Sequence, residues 1–210
     1  MIIDSWKKVT IAKYLEIRDV IETVKSEDEV KVALLSVLTD IDEDDLLDMP
    51  IIRFNHLLQN IGFIFEDVPN TQVATEYVLG GERYEVMLNI KDMTTAQFID
   101  YQNFVSDVDN NLIPLLSIFL IPKGKRYNDG YDIIEVQERI KNNLSIVDAK
   151  GLAAFFLQWY KSLLKVTVHS LTKQMRKRMK KEKNTEVRKK MMEAIASLEK
   201  SGDGLEQLIE

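Results

Sequence analysis

Hydrophobic positions in the first third of the chain recur at the spacing of amphipathic helices. Apolar residues follow one another every three or four positions across residues 11–21, and Thr10 before them is a residue type that caps helix starts. A second apolar pattern begins near Glu27, and a third covers residues 51–61. The pattern therefore predicts three helices, with a short acidic turn capped by Asp42 between the last two.

One segment instead has the composition of a pair of β-strands. Residues 76–87 place aromatic and β-branched side chains on both sides of Gly80 and Gly81. Both glycines can adopt the positive φ that a tight hairpin turn requires, so one small β-hairpin is predicted near residues 75–88. Because an isolated hairpin is marginal in water, we expect it to pack on a helix or to pair its edge with another chain.

Helical spacing returns after the hairpin. The segment from Thr94 to Gln97 has the order of a capping box, which predicts a helix that starts there. Residues 111–121 are apolar on nearly every side, so they are predicted to form a central buried helix that Pro122 closes. Ser145 is placed to cap a long helix that follows.

This last helix carries large apolar side chains at steps of three and four residues, as a helix-packing seam does. The members of this apolar stripe are Phe156, Tyr160, Leu164, Val168, Leu171 and Met175. A break is predicted near Asn184, followed by a shorter helix. The apolar side of that helix holds Val187, Met191, Ile195 and Leu198. We expect an arm that folds back on itself or docks on another subunit.

Composition supports a helical protein. With 8 Gly and 4 Pro among 210 residues, long helices are favoured over a turn-rich architecture. The predicted fold class is mainly α: a helical bundle-like domain with one small β-hairpin and a long carboxyl-terminal helical arm. The predicted domains are residues 1–165 and a basic arm at 166–210. No segment has the pattern of a signal peptide or a membrane span, so we expect a cytoplasmic protein without membrane contact.

The net charge of −6 is distributed unevenly. Residues 173–190 hold ten Lys or Arg and two Glu, a local charge of +8, so the rest of the chain carries −14. Residues 40–48 alone contain six acids and no base. Segregated charge indicates a surface addressed to a partner, and two solvated helix faces are the alternative interpretation.

Residue types with catalytic or metal-binding chemistry do not form a recognisable motif. Cys is absent, and His56 and His169 are the only histidines, which argues against a zinc site. Two sets of alternately spaced acids resemble calcium loops, but Asp45 and Leu112 stand where such a loop needs Gly. Residues 122–130 lack the P-loop order. We therefore predict no enzyme activity, no metal and no cofactor.

The basic arm is the main candidate for a binding surface. Met between bases on one helix is typical of an adaptable protein-binding helix, and a solvated helix is the plainer alternative. Phosphate neutralisation on nucleic acid is less favoured, because interleaved aromatics and a DNA-binding signature are missing. The candidate partner-binding residues are Val168, Leu171, Lys173, Met175, Arg176, Lys177, Met179, Lys180 and Lys181. The turn at Gly80 and Gly81 presents a second candidate, the hairpin edge.

Six segments in a fixed order resemble a family of small bacteriophage tail-module proteins. They are SWKKVTIAKYLEIRDVI, DDLLDMPIIRFNHLLQNIGFI, GGERYEV, MTTAQFIDYQNF, LLSIFLIPKGKRYNDGYD and DAKGLAAFFL, and together they cover roughly residues 5 to 165. Proteins of this kind are tail assembly chaperones or minor virion structural proteins. The long basic arm after residue 170 is less typical of them, which leaves open whether this chain is a transient chaperone or a virion component.

The resemblance implies a protein without enzyme activity that contacts other phage proteins. Its expected partners are tail, tape-measure or connector proteins, with a homo-oligomer as a further candidate. The expected location is the host cytoplasm during assembly, with or without retention in the virion. The alternative function is that of a nucleic-acid-binding accessory protein that uses the basic arm.

Overall fold

The computed structural model describes residues 3–89 and 92–207, without the side chains at 163, 164, 166, 167 and 198–207. Across this part of the chain the protein is mainly helical with one small antiparallel sheet, which confirms the predicted fold class. The chain divides into two compact units between Ala153 and Ala154. The predicted boundary between residues 165 and 166 lies further along, inside the second unit.

The first unit contains most of the helices. They are α1 (Ile11–Thr23), α2 (Glu27–Thr39), α3 (Glu43–Leu47), α4 (Ile51–Asn60), α5 (Thr95–Phe104), α6 (Val108–Phe119) and α7 (Ile133–Asn143). Short 3-10 turns cover Trp6–Lys8 and Gly62–Phe65. The predicted cap of α1 is confirmed, because the Thr10 hydroxyl accepts a hydrogen bond from the backbone N–H of Lys13. Asp42 occupies the cap position of α3 without a side-chain hydrogen bond.

Five helices enclose the core of the first unit. α1 packs against α2 and α7, and α6 packs against α5 and α7. The fully buried residues include Leu34, Leu35, Phe119 and Ile140, which come from three of these helices. Burial of such side chains contributes roughly 1.5–3 kcal/mol each, and this is the main force that holds the helices together.

The start of the chain is fixed to the turn after α7 by backbone pairing. The N–H of Ile11 donates to the carbonyl of Leu144 at 3.1 Å, and the N–H of Ile146 donates to the carbonyl of Val9 at 2.8 Å. Ser145 lies at this turn and accepts a hydrogen bond from the N–H of Asp148, as predicted for a helix cap. The next helix therefore begins from a position fixed by α1.

The sheet contains one strand more than the predicted hairpin. Strands β1 (Glu76–Leu79) and β2 (Glu82–Val86) form the hairpin, and β3 (Leu120–Pro122) pairs antiparallel with the far edge of β2. The prediction that residues 111–121 are helical was therefore wrong at its end. Helix α6 stops at Phe119, because Pro122 has no N–H to close the next helical turn.

Helix α5 begins with the predicted capping box. The N–H of Gln97 donates to the Thr94 hydroxyl at 3.2 Å, and the side chain of Gln97 accepts from the N–H of Thr94 at 3.0 Å. Asp107 caps the start of helix α6, because its carboxylate accepts from the N–H of Asn110. This acid, part of one of the calcium-like patterns, thus has a structural role at a helix terminus.

The second unit is built from two long helices. Helix α8 (Ile146–Lys181) starts in the first unit and provides residues 154–181 of the second, and α9 (Thr185–Gln207) follows. The predicted break near Asn184 is confirmed. The side-chain oxygen of Asn184 accepts from the N–H groups of Glu186 at 2.9 Å and Val187 at 3.3 Å, so it caps α9.

Candidate functional site

The two helices of the second unit lie side by side near the break. A groove of about 450 Å³ has residues of both helices in its wall. Those residues are Arg176, Met179 and Lys180 of α8, and Met192, Ile195 and Ala196 of α9. Because Ile195 is buried and Met192 is exposed, α9 directs one apolar side chain inwards and leaves another at the surface. This helical hairpin corresponds to the first of the two predicted arrangements, an arm that folds back on itself.

The apolar stripe of α8 departs from its predicted course at Leu171. Val168, Met175 and Met179 are half-buried, as members of a packing face are. Leu171 is 43% exposed, whereas its neighbour Thr172 is only 6% exposed. Burial of the Thr172 hydroxyl is tolerated because it donates a hydrogen bond to the carbonyl of His169, 3.0 Å away. Leu171 is therefore a surface residue of the arm.

Two other predicted members of the apolar pattern cannot be placed. The side chains of Leu164 and Leu198 lie outside the described residues. On α9, Val187 is exposed and Met191 is half-buried, so Ile195 is the buried member of this set among the described side chains.

The bases of α8 form a continuous cationic face. A groove of about 480 Å³ is lined by His169, Thr172, Lys173, Arg176, Lys177 and Lys180. These residues recur at steps of three and four, so they share one side of the helix. The predicted candidates Lys173, Arg176, Lys177 and Lys180 are thus brought together, and the exposed Lys181 extends the charge towards the break. His169 and Thr172 were missed as members of this face, although their i+4 spacing to Lys173 and Arg176 places them on it.

The helix terminus itself favours this concentration of positive charge. Arg178, Lys180 and Lys181 lie in the last turn of α8, where the partial negative charge of the helix dipole stabilises cations. The charge is therefore compatible with a folded helix. It is also directed outwards, since all three side chains are exposed.

The hairpin turn has the predicted backbone conformation. Gly80 has φ of 56° and Gly81 has φ of 83°, the left-handed region that glycine tolerates best. The register places Leu79 opposite Glu82 and Tyr77 opposite Tyr84. β3 pairs with one side of β2. Within the described sheet, the outer edge of β1 is therefore the edge of the hairpin at which a strand of another chain can pair, and Val78 of β1 is exposed.

Ion pairs hold the hairpin to its surroundings. The Lys123 ammonium lies 2.6 Å from Glu76 and 3.6 Å from Glu85, and it thereby links the end of β3 to both hairpin strands. The hydrogen bond from Lys123 lowers the pKa of the Glu76 carboxyl below its usual range. On the other side, the Arg139 guanidinium of α7 contacts Glu82 at 2.6 Å. The hairpin is therefore fixed as a scaffold at both strands.

Tyr84 is the most buried polar-tipped residue of the sheet. Its ring is fully buried, and its hydroxyl donates to Glu82 at 3.2 Å. Burial, together with the negative charge of Glu82, raises the pKa of Tyr84 to about 12. Tyr127 behaves similarly: burial and its hydrogen bond to Asp100 raise its pKa. Both phenols are neutral structural groups near neutral pH.

The remaining candidate chemistry has structural explanations. In the polar loop at 123–131, Tyr131 accepts a hydrogen bond from the N–H of Asn128, which has positive φ, so the loop is a stabilised turn. Among the described residues, no cluster of three or more His, Asp or Glu side chains is arranged to hold a metal ion. No helix within that part of the chain combines the length and apolarity needed to cross a membrane.

Comparisons with known protein families, with curated protein sequences and with solved structures find no match to this chain. The resemblance to phage tail-module proteins stays a prediction from the six sequence segments.

Proposed function

We propose that this protein is a non-enzymatic bacteriophage assembly or virion structural protein of the tail or connector module. It acts through protein–protein contacts of its helical arm and its hairpin. The observation that carries the proposal is the groove between α8 and α9, where the exposed Arg176 and Lys180 lie beside the half-buried Met179 and the exposed Met192.

Each part of this surface has a physical role in binding a protein. Exposed Lys and Arg steer an acidic partner into contact and set its orientation. Leu171 supplies apolar area, and methionine side chains adapt to an irregular partner surface because they are flexible and polarisable.

The outer edge of β1 is the second contact in this proposal. The N–H and C=O groups at an edge can pair with a strand of another protein, and the neighbouring side chains provide selectivity. With four residues, β1 offers a short edge, so it supports the arm as an auxiliary contact.

The partners in this proposal are tail, tape-measure or connector proteins. The protein acts in the host cytoplasm while these components assemble, and its contacts either dissolve or persist in the virion. We also propose that it has no enzyme activity, since the described residues of these surfaces form no catalytic constellation.

Co-expression with the products of the neighbouring genes tests the proposal. We expect the chain to co-purify with at least one tail or connector component. The variant Lys173→Glu/Lys177→Glu should weaken this complex, because it reverses two charges of the cationic face. The control Lys7→Glu/Lys25→Glu makes the same charge change at exposed residues of the first unit and should leave the complex intact. Equal binding by both variants would contradict a role for the arm.

Nucleic-acid binding is the second candidate, and the groove lined by His169, Lys173, Arg176, Lys177 and Lys180 favours it. Such a face neutralises phosphates and releases counterions. A salt titration with a duplex oligonucleotide separates the two functions. A protein-binding arm should hold the duplex only at low ionic strength, with no sequence preference. Sub-micromolar affinity that persists at physiological ionic strength would favour the second candidate.

A further inference from the structure

The first unit carries an apolar surface that its own core does not use. Leu47 is 68% exposed, Ile51 is 66% exposed and Ile52 is 84% exposed, all within six consecutive residues. Helix α4 buries only Leu57 among its ten residues. Contiguous exposed aliphatic side chains usually mark a contact site, since burying them against a partner releases ordered water.

Acidic residues lie next to these apolar residues along the chain. Helix α3 and its flanks hold Asp40, Asp42, Glu43, Asp44, Asp45 and Asp48. Asp40 is engaged by Lys13 at 2.9 Å. The other five are exposed, and in the described part of the chain no ion pair joins them to a base. We name the combination of these five acids with Leu47, Ile51 and Ile52 the α3–α4 surface.

The arm of the second unit has the complementary chemistry. Residues 173–190 carry a local charge of +8. Met179 and the exposed Met192 lie beside Arg176 and Lys180 in the groove between α8 and α9. The arm thus offers the charge opposite to that of the acidic residues beside Leu47, Ile51 and Ile52, together with apolar area. Interfaces commonly have this arrangement, in which charge directs the encounter and apolar burial stabilises the complex.

We propose that the α3–α4 surface of one copy binds the basic arm of a second copy of this chain. A second copy fits this surface because its arm has the opposite charge, and every copy carries both surfaces. The contact joins two different surfaces, so each copy binds one neighbour through its arm and another through its α3–α4 surface. Such head-to-tail contacts produce a ring if the rotation closes, and a filament if it does not. This inference goes beyond the proposed phage function and does not depend on it.

Sedimentation of the full chain over a range of protein concentrations tests the proposal. The wild-type chain should associate at low ionic strength and dissociate as salt screens the rim charges. Asp44→Lys/Asp45→Lys on the surface, or Lys177→Glu/Lys180→Glu on the arm, should each weaken self-association on the order of tenfold or more. The control Asp19→Lys/Asp129→Lys changes exposed acids outside the surface and should associate as the wild type does.

Mixing the two charge-reversed variants distinguishes binding between copies from binding within one chain. In the mixture, the unaltered arm of the Asp44→Lys/Asp45→Lys variant meets the unaltered α3–α4 surface of the Lys177→Glu/Lys180→Glu variant, so association should return. Circular dichroism of each variant confirms that both are folded before mixing. If the mixture stays monomeric, the arm does not bind a second copy through these charges, and the proposal is overturned.

The apolar centre is tested independently of charge. Ile52→Ser should weaken self-association without loss of folding stability, because the side chain is largely exposed in the single chain. Ile134→Ser, at a similarly exposed isoleucine of α7, is the matched control and should have no effect on association. Equal effects of the two substitutions would contradict a specific role for the α3–α4 surface.

Discussion

The side chain of Gln97 donates a hydrogen bond from Nε2 to the backbone carbonyl of Ile118, 3.0 Å away, and both residues are buried. A helical carbonyl normally accepts from the N–H four residues later, but that position is Pro122, which has no N–H. Gln97 therefore supplies the missing donor at the end of α6 while its Oε1 caps the start of α5. One residue thus joins two helices.

We predict that Gln97→Glu destabilises the fold more than Thr94→Ala does. Loss of the threonine cap should cost about 1 kcal/mol. The glutamate keeps the capping oxygen but loses the Nε2 donor, so it leaves the Ile118 carbonyl unsatisfied and places a buried carboxylate beside it. Urea denaturation of both variants measures the difference in unfolding free energy. Equal costs would show that Gln97 acts only as a cap.

The two roles of Gln97 illustrate what the sequence contains about this fold. The Thr94 to Gln97 spacing predicts the capping box because a cap depends on residues within one helical turn. The contact with Ile118 depends on tertiary packing over 21 residues, and no local pattern indicates it. Strand β3 was missed for the same reason: its pairing with β2 is a long-range contact, while its apolar composition also suits a buried helix.

Gly81→Ala should destabilise the hairpin by about 1–2 kcal/mol, since an alanine side chain disfavours the left-handed backbone region. The effect is due to backbone strain alone, because no atom lies within 4 Å of the added Cβ. Gly62→Ala is the matched control. Its Cβ also meets nothing within 4 Å, and its φ lies outside the positive range. Thermal denaturation should separate the two variants, and equal melting temperatures would contradict the strain argument.

Gly151→Ala should also destabilise the protein, although alanine is a better helix former by about 1 kcal/mol. The added Cβ would lie 2.8 Å from Cγ2 of Thr71 and 3.3 Å from its backbone oxygen. Such overpacking typically costs about 1–3 kcal/mol. The result is measured as the change in unfolding free energy, and a stabilised variant would show that the loop around Thr71 yields easily.

Thr71→Ser completes a double-mutant cycle with Gly151→Ala. Serine lacks Cγ2, so it removes the closer of the two contacts and should recover part of the lost stability. Recovery should be incomplete, because the backbone oxygen stays in place. Additive effects of the two substitutions would show that they do not interact.

The candidate binding site was only partly predictable. Periodicity places the arm's cations on one face, since helical spacing is a local property. It does not decide whether Leu171 or its neighbour Thr172 is buried, because adjacent positions differ by about 100° around the helix and the packing partner selects between them. The exposure of Ile51 and Ile52 was missed too: helical spacing indicates an apolar side but not whether the same chain covers it.

The stability of the first unit should fall at alkaline pH in a manner that depends on Tyr84. Its pKa is raised to about 12 in the folded chain, from 10.0 for an ordinary tyrosine. A raised pKa means that the folded state holds its proton more tightly, so this contribution is complete below pH 10.0 and is lost as pH rises towards about 12. Tyr84→Phe should flatten this part of the profile of unfolding free energy against pH, whereas parallel profiles would contradict the assignment.

Removal of residues 172–210 should leave a folded, cooperative first unit. Among the described residues, the buried hydrophobic side chains lie almost entirely before this point, and Ile195 is the exception. Ile195 belongs to the second unit, and the truncation removes the whole pairing of α8 with α9. No cavity therefore opens in the core around Leu34 and Phe119. A truncated chain should therefore unfold in one sharp thermal transition by circular dichroism, while its self-association and its binding to duplex at low salt disappear. A truncated chain that binds a hydrophobic dye and melts without a clear transition would show instead that the arm is needed to complete the core.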